Sequence, residues 1–507
     1  MLCCAVENRI RCPPISGNRT RITYPDSKVV DYTYDDANRM STVTDWLSKV
    51  TTYGYDDAGR VTSTSLQNGL SEARSCNAAN QLTSIMATKD STTLTSLTYT
   101  LDDAGVRTAV EDLAGTESYT YDDLYRLTGV TYADDSSETY TYDGVGNRLT
   151  KTQGGTTSYT HDDADRLTAI GGTSYGYDDN GNQTARGTDS FTRDYENRLT
   201  AATVGGASAS YVCRGDDLRH TKTVGGNTTT YTWDVNSSLP VVLQDGTYTY
   251  VYGLGLISQT DGSGNQSYFL GNGLSSTEML TDRQGNSLGA FKYAVEGTLR
   301  SQGVTGSTEY LFAAQQYDAD LGMYYLRARY YDPEVARFIS KDPFPGFLVS
   351  PASLHPYSYA WNNPTNRANP SGLDTRGVGL AGSGGGAGLG VAGGVMVVWD
   401  DNGKVGILLS WGGGGYTVPT ASVGVAYQQT GSADICNLPS PTVYSGISGG
   451  ESLGAGVDWL VSSDANGRPY HGQQFQLGWT AKAPLPLEYH GGLQIGYLIP
   501  LRRVSGP

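Results

Sequence analysis

From Val29 onward, polar and apolar positions alternate in short bursts. In Tyr32-Thr33-Tyr34, Tyr53-Gly54-Tyr55, Tyr119-Thr120-Tyr121 and Tyr140-Thr141-Tyr142 two aromatics stand two residues apart, so both fall on one face of a strand. Each burst ends in a polar cluster such as Asp35-Asp36-Ala37-Asn38 or Asp56-Asp57-Ala58-Gly59. The first aspartate of such a cluster can accept backbone N–H bonds, and Asn or Gly tolerates the left-handed conformation that closes a turn. A second burst, Arg-Leu-Thr or Arg-Val-Thr, starts at once. The pattern predicts a β-hairpin, which is too small to be stable alone.

The hairpin recurs. Taking the second aromatic of each burst as a marker gives Tyr34, Tyr55, Cys76, Leu101, Tyr121, Tyr142, His161, Tyr177, Arg193, Cys213, Trp233 and Tyr250, at spacings of 21, 21, 25, 20, 21, 19, 16, 16, 20, 20 and 17. A period near twenty with drifting residues is a repeat array, and the degenerate members Cys76 and Arg193 keep the spacing without the tyrosine. Stacked hairpins pair their edges and bring their tyrosines into rows.

Composition agrees with strands and tight turns. Tyrosine (37) far exceeds phenylalanine (8), glycine reaches 66, and the hydrophobic fraction is only 38%. The net charge of -16, much of it in the repeated Asp pairs, argues against a nucleic-acid partner, whose phosphates need a basic face. Cys3, Cys4 and Cys12 crowd the start while Cys76, Cys213 and Cys436 lie far apart, so neither a disulfide framework nor a metal-ligand spacing emerges. His161, His220, His355, His471 and His490 form no metal-binding pair, no phosphate-binding loop is present, and no cofactor is expected. The apolar run at the start is too short for a secretory signal, and no stretch reaches 18 apolar residues. Because the repeat is already running by Tyr32, the chain is expected to be the C-terminal part of a longer protein.

These phrases resemble the YD-repeat (RHS) family, in which such hairpins wind into a spiral sheet that forms a hollow shell. The resemblance covers residues 18 to 373. It is strengthened at "LGMYYLRARYYDPEVARFISKDP" (321–343) and at "HPYSYAWNNPTNRANPSGL" (355–373), which resemble the core motif and the motif that ends the shell. It implies an all-β fold: an irregular segment 1–17, a partial YD-repeat shell over 18–267, and an associated core and closing segment over 268–373. It also implies a secreted or cell-surface protein.

The same resemblance implies a candidate site. In that family the shell end often carries an aspartic-type autoprotease that cuts after the Leu of a "DPxGL"-like ending and leaves the released segment enclosed. Two close carboxylates can share a proton, one acting as base and the other as acid. Carried over by motif, Asp342 matches the first aspartate, Arg337 the nearby arginine, and the cut falls between Leu373 and Asp374. Where the family has its second aspartate this chain has Asn369, which carries no transferable carboxylic proton. Asp332 is the substitute carboxylate to consider. The plain alternative is that Asp342-Pro343 and Asn369-Pro370 only start turns.

At Asp374 the composition shifts. Residues 374–394 are expected to be a Gly-rich linker, and 395–507 a small antiparallel β-domain, with a hairpin turning at Asp401 to Lys404. Glycines there alternate with apolar residues, which suits a soluble barrel with glycines at tight bends or, alternatively, a lipid-facing barrel. We take the soluble barrel as the expectation. Two functions follow. Either the shell is a container or scaffold for an effector-like tail, with an immunity protein as partner, or the whole is an adhesive module that binds a cell-surface ligand.

Overall fold

The computed structural model describes residues 18–237, 239–304, 306–343 and 351–373, together with eight backbone strands between residues 376 and 501. Its residues form two compact units, one dominated by 20–234 and 242–372, the other by 373–507. The described residues contain β-strands and three short 3-10 turns but no α-helix.

In the first unit, strands from Arg21–Thr23 to Asn227–Thr230 form one 22-stranded antiparallel sheet that does not close on itself. Each strand pairs with its neighbours in sequence, as in Tyr32↔Val43, Val43↔Thr51 and Tyr53↔Thr64. Eight more strands, Thr232–Asp234 to Leu299–Val304, form a second sheet. Gln316–Asp318, Met323–Leu326, Arg329–Asp332 and Arg337–Phe338 form a third. The break between the first and second sheets falls after Thr230. Past that point the turn chemistry persists: Asp261 caps the turn to Asn265, Asn272 that to Ser276 and Asp282 that to Asn286.

The marker residue has a structural identity. The pairing register slips by one at Tyr34, Tyr55, Cys76, Leu101, Tyr121, Tyr142, His161, Tyr177, Arg193 and Cys213, so each is a β-bulge before a turn. In the second sheet the bulge falls at Tyr252, two residues beyond the expected Tyr250. The turn that follows is built by its aspartate. Asp35 Oδ1 accepts the Arg39 N–H at 2.8 Å, and Arg39 Nε donates to Asp35 Oδ2 at 2.8 Å. The backbone bond from Arg39 and then its guanidinium hold the Asp35 carboxyl below its ordinary range. Asn38 closes the turn at φ 63°, a conformation that Asn and Gly tolerate.

The same arginine links neighbouring repeats. Arg39 Nη1 donates to the Asp56 carbonyl, Arg60 Nη1 to Asn77 and Arg126 Nη1 to Asp143. The second tyrosine reaches back: Tyr55 Oη donates to the Met40 carbonyl and Tyr142 Oη to that of Leu127. Arginines lie over the rings of second tyrosines, as Arg39 over Tyr55, Arg126 over Tyr142 and Arg166 over Tyr177. The first tyrosines, Tyr32, Tyr53, Tyr119, Tyr140 and Tyr159, are buried.

Buried ions pin the sheets together. Arg148 and Lys151 of the first sheet meet Glu296 of the second, and Arg219 and Lys222 meet Asp318 of the third. Burial opposes ionisation of Asp318, yet the two cations outweigh it and hold the carboxyl below its ordinary range. Removing either partner would leave a buried charge alone, so these pairs specify how the sheets dock.

The second unit is a closed antiparallel barrel of eight strands, from Arg376–Gly385 to Glu488–Leu501. Two of its strands, Arg376–Gly385 and Gly390–Trp399, occupy the stretch expected as a linker. Glycine recurs along its strands, and the glycine-rich strand Arg376–Gly385 is held by its ladder on both sides. The predicted turn at 401–404 lies outside the described residues. Its flanks pair as expected, with Trp399 opposite Val405.

Candidate functional site

Asp342 sits just beyond the third sheet, where its backbone N–H donates to the Pro356 carbonyl at 2.9 Å. Its Oδ2 accepts from Arg329 Nη2 at 2.7 Å. Arg329 is buried, stacks on Phe338 at 3.7 Å, and donates through Nη1 to the Pro356 carbonyl and through Nε to the Gly372 carbonyl. One guanidinium therefore ties Asp342 to the peptide unit just before Leu373. Sequence reasoning missed Arg329. The signal was the alternation in "RARYYD", which puts Arg329 and Tyr331 on one face of the strand and Tyr330 and Asp332 on the other.

Asp332 and Arg337, which pair across neighbouring strands, make their contacts elsewhere. Asp332 is on the other face, where its Oδ2 accepts from Arg186 at 2.7 Å and its Oδ1 caps Glu334. Burial pushes its carboxyl up to about 6 and Arg186 only partly offsets this, so Asp332 serves the join to the repeats. Arg337 points to the repeats too, donating to Asn147 Oδ1 at 3.1 Å and to the Asp165 carbonyl. Arg329, not Arg337, is the arginine on Asp342.

Asn369 lies in the "NPSGL" turn. Its Oδ1 accepts from Ser371 Oγ at 3.4 Å and its carbonyl accepts the Gly372 N–H at 3.3 Å. Gly372 adopts φ +77°, and a Cβ there would stand 2.7 Å from the Leu326 carbonyl oxygen, so only glycine lets the turn dock on this strand. Arg327 Nη1 and the Ala328 N–H hold the Pro370 and Ser371 carbonyls. Leu373 is buried. The structure thus brings Asp342 and the ending turn onto one arginine, while the Asn369 amide serves its own turn.

The rest of the closing segment is clasped onto the turns of the repeats. His355 Nδ1 accepts the Tyr357 and Ser358 N–H groups, which leaves Nε2 to donate to Asn147 Oδ1 at 2.9 Å. Burial and then Arg337 push His355 down to about 3. Tyr357 Oη donates to the Gly181 carbonyl, Asn362 to that of Gly146 and Asn363 to that of Tyr125. Asn366 accepts the Arg107 N–H, and Arg107 donates in turn to the Thr365 carbonyl. The hub is Asn147, which stands where other turns carry arginine. Its amide nitrogen bonds Asp143 and Asp165 while its oxygen takes Arg337 and His355.

Sequential bulged hairpins clasped by a buried tyrosine-rich core define a YD-repeat shell. Residues 72–365 match the family model described as the teneurin YD-shell, and residues 16–50 match that of the RHS repeat. The first match spans more than half of the sequence: the chain belongs to the teneurin YD-shell family. A stretch of 271 residues is 31% identical to the tRNA3(Ser)-specific nuclease WapA of Bacillus spizizenii, covering 50% of this chain and 12% of that protein. A stretch of 89 residues is 39% identical to toxin protein Tse5 of Pseudomonas aeruginosa, covering 15% and 6%. The chain spans only a small part of these relatives' lengths. Among solved structures, a Tc holotoxin pore of Photorhabdus luminescens superposes with a TM-score of 0.60 at 18% identity, over 71% of this chain and 21% of that one. A TcdB2–TccC3–TEV crystal structure gives 0.54 at 19% identity, over 69% and 22%. At such identities the likeness is one of fold.

Proposed function

We propose that this chain is the C-terminal part of an RHS/YD-repeat protein, secreted or exposed at a cell surface, whose shell contains or carries an effector-like β-domain. The observation that carries the proposal is the clasp: Arg337, His355, Tyr357, Asn362, Asn363 and Asn366 hook onto successive repeat turns, and the β-domain follows directly in sequence. A shell end fastened this way suits a container whose content must be held until release. Relatives named as nucleases or toxins support the same reading. Its partners would be its own tail and an immunity protein.

The test is to express residues 374–507 and, separately, the full chain in a bacterial cytosol. The tail alone should arrest growth, and the full chain should be tolerated. If both are harmless and the chain instead binds a cell-surface ligand, the adhesive reading replaces this one.

A further inference from the structure

We infer that Lys292 and Asp112 become joined by an amide bond, which ties the second sheet covalently to the first. The two residues lie 180 positions apart, Asp112 at the end of the strand Arg107–Asp112 and Lys292 within Ser287–Tyr293. The chain forms this isopeptide bond by itself, with one water as the by-product. The inference concerns the shell unit alone and does not depend on what the tail does.

The arrangement differs from the other ion pairs between the sheets. At Glu296 and Asp318 an arginine accompanies the lysine, and an arginine stays charged and keeps its carboxylate an anion. Among the described residues Asp112 meets a lysine and no arginine: Lys292 Nζ donates to Asp112 Oδ2. The other oxygen, Oδ1, accepts the Ala114 N–H at 2.7 Å and the Gly115 N–H at 3.1 Å. Two backbone donors on one carboxyl oxygen stabilise the negative charge that develops there when the carboxyl carbon is attacked. A second carboxyl stands beside the amine, with Glu278 Oε2 3.7 Å from Lys292 Nζ. Asn272 Nδ2 fixes it by donating to Glu278 Oε1 at 2.8 Å. Asp112 and Glu278 are largely buried, and the site borders a cavity of about 90 Å³ walled by Leu97, Val110, Tyr119, Tyr293 and Phe312.

Burial pushes the Glu278 carboxyl up, and Lys292 and Asn272 offset this only in part, so Glu278 is equipped to hold a proton. Burial opposes the charge on Lys292, but Glu278, Asp112 and Glu117 outweigh it and hold the ammonium above its ordinary range. The reactive pair is therefore reached by proton transfer within the contact, from Lys292 Nζ to Asp112 Oδ2. A neutral amine then lies against a neutral carboxylic acid, and removing two charges from a largely buried site lowers the cost of that step. The Nζ lone pair attacks the Asp112 carboxyl carbon. A C–N bond forms, and the charge gathers on Oδ1 under the Ala114 and Gly115 N–H groups. Glu278 gives its proton to Oδ2, the C–O bond breaks and water leaves; Glu278 then takes the surplus proton from Nζ. An ammonium and a carboxylate have become an amide and one water, with nothing oxidised or reduced. The event happens once per chain, so a slow rate suffices. A cross-link across so long a loop restricts the unfolded chain as a disulfide does, without cysteine.

Mass spectrometry of the purified, denatured full chain should find a mass one water below that of the sequence. Trypsin should fail to cut after Lys292 and should release residues 108–126 joined to 284–300. Lys292→Arg keeps a cation on Asp112 but removes the nucleophile, and should show its full sequence mass. Glu278→Gln keeps an acceptor for Asn272 but carries no transferable carboxylic proton. It should slow joining by about 10²-fold or more, read as the unjoined fraction against time after synthesis. The unmodified chain decides the matter even where a variant fails to fold. A full sequence mass with normal cutting after Lys292, or a water loss that persists in Lys292→Arg, would overturn the inference. Joining of Glu278→Gln at the unmodified rate would overturn the part given to Glu278.

Discussion

The Arg329 guanidinium reaches the Asp342 carboxylate and the Pro356 and Gly372 carbonyls, while Asn369 supplies no second carboxylate. A general acid–base partner is worth about 10²–10⁴-fold in rate. The unmodified chain should therefore stay intact, or cut only slowly, at Leu373-Asp374. Asn369→Asp, nearly isosteric, should release a fragment that begins at Asp374, and Asp342→Asn should abolish that release; mass spectrometry of purified protein reads both. Efficient cutting of the unmodified chain would show that Asn369 is not the missing half of a dyad. His355 gives a pH prediction. The groups that face it are Arg337, His161 and Asp143, and its folded-state value of about 3 lies below the unfolded 6.5. The unfolded chain thus binds the proton first, and stability falls as pH drops below about 6.5, by up to about 1.4 kcal/mol per pH unit. His161, pushed down to about 4 mainly by burial, acts in the same direction. His355→Asn retains an acceptor for the Tyr357 and Ser358 N–H groups while removing the titration. Its denaturation midpoint should fall less between neutral pH and about pH 4 than that of the unmodified chain.

At the scale of the element, the hairpin is defined by its turn more than by its tyrosines. Cys76, Cys213 and Arg193 keep the bulge where the tyrosine is lost, because Asn77, Arg214 and Asp194 still open the turn that follows. The arginine four residues after the aspartate carries the contact between hairpins. Arg126 donates to Asp122 at 2.6 Å and to the Asp143 carbonyl at 2.7 Å, with Tyr142 beneath it. Arg126→Ala removes two charge-assisted bonds and should cost about 2 kcal/mol locally. Hydrogen exchange is the suitable measurement, since an array of repeats need not unfold in one step. Faster exchange should be confined to Tyr119–Thr131 and the adjoining Ser137–Tyr142. Exchange that rises evenly over the sheet would mean the arginine stabilises the array as a whole.

For the whole shell unit, closure depends on a few polar hooks and on buried ion pairs between sheets. Asn147 receives two of these hooks, and its loss would leave Arg337 without a side-chain acceptor and His355 without its own. Asn147→Ala should loosen the closing segment while the repeat sheet stays folded. Limited proteolysis should then cut within residues 355–366, with strand content by circular dichroism almost unchanged. Equal resistance in the variant would show that the aromatic packing of Tyr331, Phe338 and Tyr359 holds the segment without the hooks.

By itself the sequence determined whatever is local and periodic: the hairpin, its turn chemistry, the order of pairing and the family, because a period-two strand and an Asx turn depend only on neighbouring residues. It located Asp342 and the ending turn as a candidate site, because those lie in contiguous motifs. Tertiary structure decided what depends on partners far along the chain. Arg329 rather than Arg337 serves Asp342, since neighbouring strand residues face opposite ways and the docked segment selects one face. The glycine-rich stretch after Leu373 became strand instead of linker, since its ladder partners lie far along the chain, as Arg376 opposite Gln429 shows.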